Sequence, residues 1–309
     1  MTFNDRLSAG YTGEKGPLFG LAFMTALLTL LTLGIYRFWA KTRIRKYIWS
    51  SIRLGGDMLE YTGTGLEKFL GFLVAVVVLA IYLGLVQLIL FYFGLHFIVE
   101  PQTDAEILMQ IGVIYASFFA LIPLILFASY RARRYMMART RLRGIRFGMD
   151  KAAWGYVWRA IGHGLLTALT LGILLPRQTF WLEKYKTDHS YYGDQRFNQG
   201  GKWTRLYGAM KHIFIGIGLV IAGSVVTVLN STGGEPGGVA ILGFVVVAVG
   251  YAWGVVGYIY YNVHAFRYLT GEKTLAGAGF HAEPSTGKII GISLLGMLIV
   301  GAIAGVIFA

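Results

Sequence analysis

The chain has 309 residues, of which 56% are hydrophobic and only 14% are charged. Soluble domains are about half apolar and about a quarter charged, so this composition argues against a soluble protein. The chain has no cysteine, which excludes disulfides, cysteine-ligated zinc and iron–sulfur clusters. Its net charge of +13 is typical of a membrane protein with basic cytoplasmic loops.

Residues 1–16 have neither a basic start leading into a short apolar core nor a small-residue cleavage site, so we expect no cleaved signal peptide.

Apolar segments recur along the whole chain. A membrane-spanning helix needs roughly 20 apolar residues. Seven segments approach that length: 17–40, 69–98, 107–128, 154–176, 212–229, 239–263 and 289–309. The sequence therefore predicts a mainly α, polytopic transmembrane helical bundle that forms a single membrane domain, residues 1–309.

The connections between these segments differ in charge. Two of them are acidic: 99–106, which contains Glu100, and 230–238, which contains Glu235. The others are basic: 36–68, 131–151, 177–211 and 267–288. Basic connections favour the cytoplasmic side. We therefore expect five full spans, a cytoplasmic N-terminus and a periplasmic C-terminus.

This charge pattern requires two segments to enter and leave on the same side of the membrane. The candidates are 17–40 and 154–176, because each contains a helix breaker, Gly34 in the first and Gly172 with Pro176 in the second. Such broken or re-entrant segments are permitted where protein or water covers the backbone, and in transporters they form binding sites. The alternative, which the sequence leaves open, is two unbroken helices whose glycines permit close packing.

The same segments indicate an internal repeat, with halves at about 11–130 and 147–265 and a C-terminal hairpin-plus-helix unit at 265–309. The run Thr-Leu-Gly-Ile occurs at 32–35 and 170–173, followed by Phe38-Trp39 and Phe180-Trp181. The second copy has an insertion, Leu175-Pro176, where the first copy continues directly into Arg37. A basic-Tyr pair followed by a Gly-containing turn recurs four times, which predicts short β-hairpin-like pieces on the cytoplasmic side.

The runs TLGIYRFWAKTRIRKY, LGGDMLEYTGTG and RTRLRGIRFG resemble the YjgN-like family, over about residues 11–280. That family consists of bacterial inner-membrane proteins and is classed as a domain of unknown function. The resemblance implies an inner-membrane location and a multi-pass architecture. It implies no catalytic residues.

Three polar residues are candidates for an intramembrane site. Arg159 and His163 are four residues apart and therefore share one helical face. They could bind an anion or relay a proton, or Arg159 could extend its side chain to the membrane surface beside Trp154 and Trp158. Gln87 lies in the middle of the second segment. It could line a polar pore or form a hydrogen bond with a neighbouring helix.

Basic residues of two connections are candidates for binding anionic lipid headgroups. They are Arg43, Arg45, Lys46, Arg131, Arg133, Arg134, Arg139 and Arg141. We expect membrane lipids, and not nucleic acid, to be the partner of this basic face. Homo-oligomer formation stays open.

Catalytic signatures are missing from the sequence. There is no Gly-x-Ser-x-Gly elbow, no phosphate-binding Gly-Lys-Ser/Thr loop and no metal-ligand spacing. We therefore expect no enzyme activity, metal or cofactor. The broken segments favour a transporter or channel for a small solute or ion as the function. The alternative, which the basic face supports, is a non-transporting membrane scaffold or anionic-lipid-binding protein.

Overall fold

The computed structural model describes residues 8–96, 101–231 and 237–308. The predictions that concern Glu100, Glu235, residues 97–98 and the first seven residues lie outside these ranges.

Most of the described residues are helical, which confirms the predicted mainly α class. The helices are α1 (Lys15–Leu31), α2 (Arg37–Ser50), α3 (Gly65–Tyr92), α4 (Asp104–Ala138), α5 (Ala153–Leu169), α6 (Leu175–Asp188), α7 (Lys211–Leu229), α8 (Gly238–Gly271) and α9 (Thr286–Phe308). A short 3-10 helix, Trp203–Met210, leads directly into α7.

Four helical stretches in the described ranges are long and apolar enough to cross a membrane. They are Gly65–Tyr92, Asp104–Ala138, Trp203–Leu229 and Gly238–Gly271. We predicted five full spans. α9 is also apolar, but its part from Thr286 to Ala302 is shorter than these four, as is α1.

Helix α4 is longer than the predicted segment 107–128. It begins at a capping box in which Thr103 and Glu106 satisfy each other's backbone amides, and it continues through Pro123 to Ala138. The connection that we expected to begin at Arg131 is therefore helical for its first eight residues. Arginine is a good helix former whose apolar stem can pack while its charge reaches water, so a basic run does not end a helix.

Nine short strands lie between the helices in the described ranges. They are β1 (Ala9–Tyr11), β2 (Ile52–Leu54), β3 (Asp57–Tyr61), β4 (Thr140–Leu142), β5 (Ile145–Met149), β6 (Ser190–Tyr192), β7 (Gln195–Gln199), β8 (Lys273–Leu275) and β9 (Ala278–Gly279). Each strand pairs antiparallel with the next one in the chain.

The chain divides into two compact units. The first is Met1–Gly162 with His189–Arg196, and the second is His163–Asp188 with Phe197–Ala309. The boundaries fall inside α5 and β7. In the first unit, Tyr61, Tyr130 and Val157 are almost fully buried. In the second, Phe180, Leu206, Met210, Tyr261 and Leu269 form an apolar core.

Two helical segments are interrupted at corresponding glycines. α1 ends at Leu31 and α2 begins at Arg37, with Gly34 between them at φ +91°. α5 ends at Leu169 and α6 begins at Leu175, with Gly172 at φ +88°. The residue before each glycine, Leu33 or Leu171, also has positive φ. Neither segment is an unbroken helix.

The elements around these two glycines have matching lengths. α1, α2, β2 and β3 have 17, 14, 3 and 5 residues, and so do α5, α6, β6 and β7. Each begins 138 residues after its counterpart. The proposed Leu175-Pro176 insertion is therefore wrong: these residues form the first turn of α6, where proline is well tolerated. Phe180-Trp181 lies one helical turn beyond the position of Phe38-Trp39.

Glycines determine how closely α7 and α8 pack in the second unit. A Cβ on Gly250 would lie 2.8 Å from the backbone nitrogen of Val220, and one on Gly223 would lie 2.8 Å from the Gly243 carbonyl oxygen. Side chains at these positions would force the helices apart. The small residues thus allow the contact of two backbones that is common between membrane helices.

Candidate functional site

The two turns at Gly34 and Gly172 were the first predicted site, because a broken helix can leave backbone groups for a ligand. In the first turn, all six amides from Thr32 to Arg37 already donate to acceptors within the segment, including Gly34 to the Thr29 carbonyl at 2.7 Å and Tyr36 to Thr32 Oγ1 at 2.9 Å. The second turn has the same pattern from Thr170 to Leu175. Neither turn offers a free amide donor.

Gln87, the predicted mid-span polar residue, bonds to the adjacent helix. Its Nε2 donates to Ser117 Oγ at 2.8 Å, and that hydroxyl donates to the Val113 carbonyl at 2.7 Å. A second bond between the same helices runs from the Tyr82 hydroxyl to the Ala120 carbonyl at 2.7 Å. Such bonds hold membrane helices together. Gln87 thus has a role in pairing α3 with α4.

His163 meets an arginine that the sequence analysis did not consider. Nη1 of Arg177, on α6, lies 3.0 Å from His163 Nδ1. A guanidinium only donates, so Nδ1 accepts and the ring proton is on Nε2. Arg159 is exposed and donates to the Gly155 carbonyl within its own helix at 3.0 Å.

Three of the eight predicted headgroup-binding residues are exposed: Arg43, Lys46 and Arg131. The guanidinium of Arg43 lies 5.7 Å from the Tyr36 ring centre, and that of Arg131 lies 5.8 Å from the Phe127 ring centre. An arginine over an aromatic ring suits a membrane–water interface, where the ring packs in the apolar layer and the charge reaches water. None of the ion pairs in the described ranges includes these three residues.

The other predicted basic residues are half-buried, and several have internal partners. Arg134 Nε donates to the Met149 carbonyl at 3.0 Å, and Arg139 donates to Glu67 at 2.7 Å. Glu67 also accepts a bond from the Tyr135 hydroxyl at 2.9 Å. Arg45 lies against aromatic rings, while Arg133 and Arg141 are half-buried in the same region. These residues contribute to packing between the end of α4 and its neighbours.

Acidic residues of the strands neutralise a different set of arginines. Asp57 pairs with Arg143, and Asp150 pairs with Arg196 at 2.7 Å. The hydrogen bond that Arg196 donates to the Asp150 carboxylate raises the pKa of the guanidinium, which therefore keeps its charge. Burial raises the pKa of the Tyr192 hydroxyl, which donates to the Leu142 carbonyl. These contacts stabilise the strands and leave the cations of α2 uncompensated.

The corresponding helices α2 and α6 differ strongly in charge. α2 carries five basic residues and no acidic one, whereas α6 carries three basic and two acidic residues. Two of the basic residues of α6 are paired, Lys184 with Asp188 and Lys186 with Glu183, each at 2.9 Å. Because α6 has the same length as α2 with a much lower net charge, a helix of this kind does not require the charge that α2 carries.

Sequence reasoning did not identify a cluster around Tyr61, which is 4% exposed. The guanidinium of Arg45 lies 5.3 Å from its ring centre, and the ammonium of Lys68 lies 5.1 Å from it. The indole of Trp49 packs edge-on against the same ring. The sequence offered one signal: position 199, which follows Tyr61 by 138 residues, holds glutamine and not an aromatic residue.

A cavity of about 510 Å³ in the second unit lies between α7, α8 and α9. No charged residue lines it. Its walls are Ile213, Gly216, Ile217, Val220, Ile221, Gly250, Tyr251, Gly254, Val255, Tyr258, Ile259 and Met297. Such a surface suits hydrocarbon better than a polar solute.

Long apolar helices with exposed apolar side chains, joined by basic connections, define a polytopic membrane protein. The chain belongs to the family described as "Bacterial protein of unknown function (DUF898)", whose model matches residues 6–307.

Three named relatives confirm the predicted resemblance to the YjgN-like family. Inner membrane protein YjgN of Salmonella typhimurium is 28% identical over 151 residues, which cover 48% of this chain and 33% of the relative. The proteins of the same name from Escherichia coli O157:H7 and K12 are 27% and 25% identical over 161 residues, 52% of this chain and 35% of each relative. The matched part thus spans about a third of these relatives. No solved structure matches the chain.

Proposed function

We propose that this protein is a non-enzymatic inner-membrane protein whose basic cytoplasmic face binds anionic phospholipid. The observation that carries the proposal is the charge of α2, which has five basic residues outside any described ion pair, whereas its counterpart α6 is largely compensated. Each basic residue near an anionic membrane surface contributes about 1 kcal/mol of attraction.

Strand pairing supports one cytoplasmic side for the strands of the first unit. β1 precedes α1, β2 follows α2, and these two strands pair directly. β3 and β4 likewise pair and flank α3 and α4, and β5 and β6 pair and flank α5 and α6. Because the strands before and after each helical pair are hydrogen-bonded to each other, the chain enters and leaves that pair on the same side of the membrane. In the second unit, β7 and β8 flank the path through α7 and α8 in the same way.

In this proposal α1–α2 and α5–α6 are re-entrant pairs and the two halves are repeats of one unit. The tips of the two pairs support the proposal, since Leu33 is 94% exposed and Leu171 is 88% exposed. An exposed leucine at a turn is unfavourable in water but favourable in lipid. The N-terminus then lies in the cytoplasm, and α9, where it crosses, carries the chain to the periplasm.

Transport of a small solute or ion has less support. The amides of both turns are bonded internally, Gln87 is bonded to Ser117, and the cavity beside α9 is apolar. The amides and Gln87 are already hydrogen-bonded within the protein, and the cavity is lined by apolar surface. None of them offers the polar groups that a transported solute needs.

The test measures anionic-lipid binding by purified protein in nanodiscs. We compare phosphatidylglycerol with phosphatidylethanolamine by competition against a fluorescent anionic lipid, at low and high salt. We expect a preference for the anionic lipid that weakens with salt, since exposed charges are screened over about 8 Å at physiological ionic strength. The double variant Arg43→Gln, Lys46→Gln should reduce the low-salt preference by up to roughly 30-fold.

The matched control is Lys184→Gln, Lys186→Gln, which removes two charges from α6. These lysines already have carboxylate partners, so the control should leave the lipid preference nearly unchanged. Equal binding of both lipids by the parent, or equal losses in the two double variants, would contradict the proposal.

A further inference from the structure

We propose that Arg45 and Lys68, with Lys41 beside them, form a specific site for the phosphate group of one anionic phospholipid. The inference rests on the proposed lipid-binding function and deepens it, because it separates a built site from the general attraction of the basic face.

The site begins with two cations on one ring. Arg45 and Lys68 lie 5.3 and 5.1 Å from the centre of the Tyr61 ring, and Nη1 of Arg45 is 3.5 Å from the Tyr61 hydroxyl. Arg45 also lies 5.6 Å from the Trp49 ring. The aromatic rings hold both cations in place, but they carry no negative charge.

The positive charge of the cluster is uncompensated. The Lys68 ammonium is buried against the Tyr61 side chain and donates to no carboxylate or carbonyl of the described residues, and the positive charges of Arg45 and Lys41 repel it. The neighbouring Glu67 is occupied by Arg139 and Tyr135. None of the ion pairs in the described part of the chain includes Lys41, Arg45 or Lys68. A buried cation without a counter-ion is costly, and a bound anion removes that cost.

The second unit shows that the fold does not need these cations. At the positions 138 residues further on, Glu183 stands for Arg45, Gln199 for Tyr61 and Leu206 for Lys68. Glu183 pairs with Lys273 at 2.9 Å, Gln199 bonds to the Leu269 carbonyl, and Leu206 is in the apolar core. The positions in the second unit are therefore packed without uncompensated charge. The cluster in the first unit retains its positive charge, which lowers the stability of the fold.

The position of the cluster selects a lipid phosphate. It lies where α2 and the beginning of α3 meet the strands, which is the headgroup level of the proposed topology. Lys41 is exposed and Arg45 is half-buried, so a phosphate can approach from the α2 side. Arginine binds phosphate through two parallel hydrogen bonds, and this binding persists at salt concentrations that screen exposed charges.

The experiment measures thermal stability of the full-length protein in neutral detergent at 0.5 M NaCl, with and without phosphatidylglycerol. We expect the lipid to raise the melting temperature of the parent by several degrees. Lys68→Met should abolish this shift while melting at least as high as the parent without lipid, since it removes an uncompensated cation. Arg45→Gln should reduce the shift. The control, Arg43→Gln with Lys46→Gln, should keep it.

The outcomes separate the two proposals. A salt-sensitive lipid preference without a shift at 0.5 M NaCl would overturn the specific site and leave the basic face intact. A full shift in Lys68→Met would also overturn it. Inorganic phosphate at matched ionic strength should give no comparable shift. If phosphate alone reproduces the effect of the lipid, the ligand is free phosphate and the lipid assignment is wrong.

Discussion

Two adjacent residues with positive φ produce each interruption of the short helical pairs. Leu33 and Gly34, and likewise Leu171 and Gly172, form a helix end in which the glycine amide reaches back to the carbonyl five residues earlier. The threonine hydroxyl before each leucine then accepts a hydrogen bond from the amide of the residue that precedes the next helix, Tyr36 or Leu174. The motif Thr-Leu-Gly thus encodes a complete turn that satisfies its own amides.

The first prediction concerns this turn. Gly34→Ala should destabilise the protein by about 1–2 kcal/mol, because an L-residue with a Cβ is strained in the left-handed region. Space is not the reason, since a Cβ at Gly34 meets no atom within 4 Å. Unfolding of purified protein in mild detergent measures the effect.

Gly84→Ala is the matched control. Gly84 lies inside α3 with open space around it and no positive φ, so alanine there should be neutral or stabilising by up to about 1 kcal/mol. Equal stability of the two alanine variants would show that the turn does not require glycine at position 34.

The helical pairs differ in what holds them together. α3 and α4 are linked by the bonds from Tyr82 and Gln87, whereas α7 and α8 approach through glycines. Without a hydrophobic driving force between helices in lipid, both devices suit a membrane interior.

The second prediction tests the glycine contact. Gly250→Ala should destabilise the second unit by about 1–3 kcal/mol, because the new Cβ would meet the backbone of α7, which cannot yield as a side chain can. The measurement is the loss of helical circular dichroism on titration with a denaturing detergent.

Gly254→Ala provides the comparison on the same helix. A Cβ at Gly254 meets nothing within 4 Å, so this variant should unfold like the parent. A larger effect at Gly254 than at Gly250 would contradict the described packing of α7 against α8.

Several elements could be predicted from the sequence. Gly34 and Gly172 indicated where the helices end, because only glycine adopts positive φ without cost. The end of α4 could not be predicted from charge, since Arg131 and Arg134 extend the helix instead of ending it. The mistaken insertion at Leu175-Pro176 came from aligning Arg37 with Arg177, because the position of an arginine on a helix is freer than that of a conformationally required glycine.

The candidate site was predictable only in part. Exposed cations such as Arg43 follow from a basic run, but the burial of Lys68 against Tyr61 depends on the packing of residues from two helices and a strand. No local pattern reports such a contact. Comparison with the positions 138 residues further on carries the missing information, since Leu206 stands there in place of the charged Lys68 and Gln199 in place of the aromatic Tyr61.

In the proposed topology the strands of the first unit lie on the cytoplasmic side, and α1–α2 and α5–α6 enter and leave the membrane from that side. Charge and strand pairing support the same solution. The proposal that the basic face binds lipid depends on it, because Arg43, Arg45 and Lys46, in the half of α2 that leads to β2, must lie at the cytoplasmic surface of the membrane.

Single-cysteine labelling tests this arrangement most directly, and the absence of cysteine from the chain removes any background. Exposed positions are changed one at a time, Arg53→Cys, Asp194→Cys and Gln102→Cys, and intact cells with a permeabilised outer membrane are treated with an impermeant maleimide. Only Gln102→Cys should react, while Arg53→Cys and Asp194→Cys should react after the inner membrane is opened. Labelling of Arg53→Cys and Asp194→Cys from opposite sides would mean that α5–α6 crosses the membrane, and it would contradict the account.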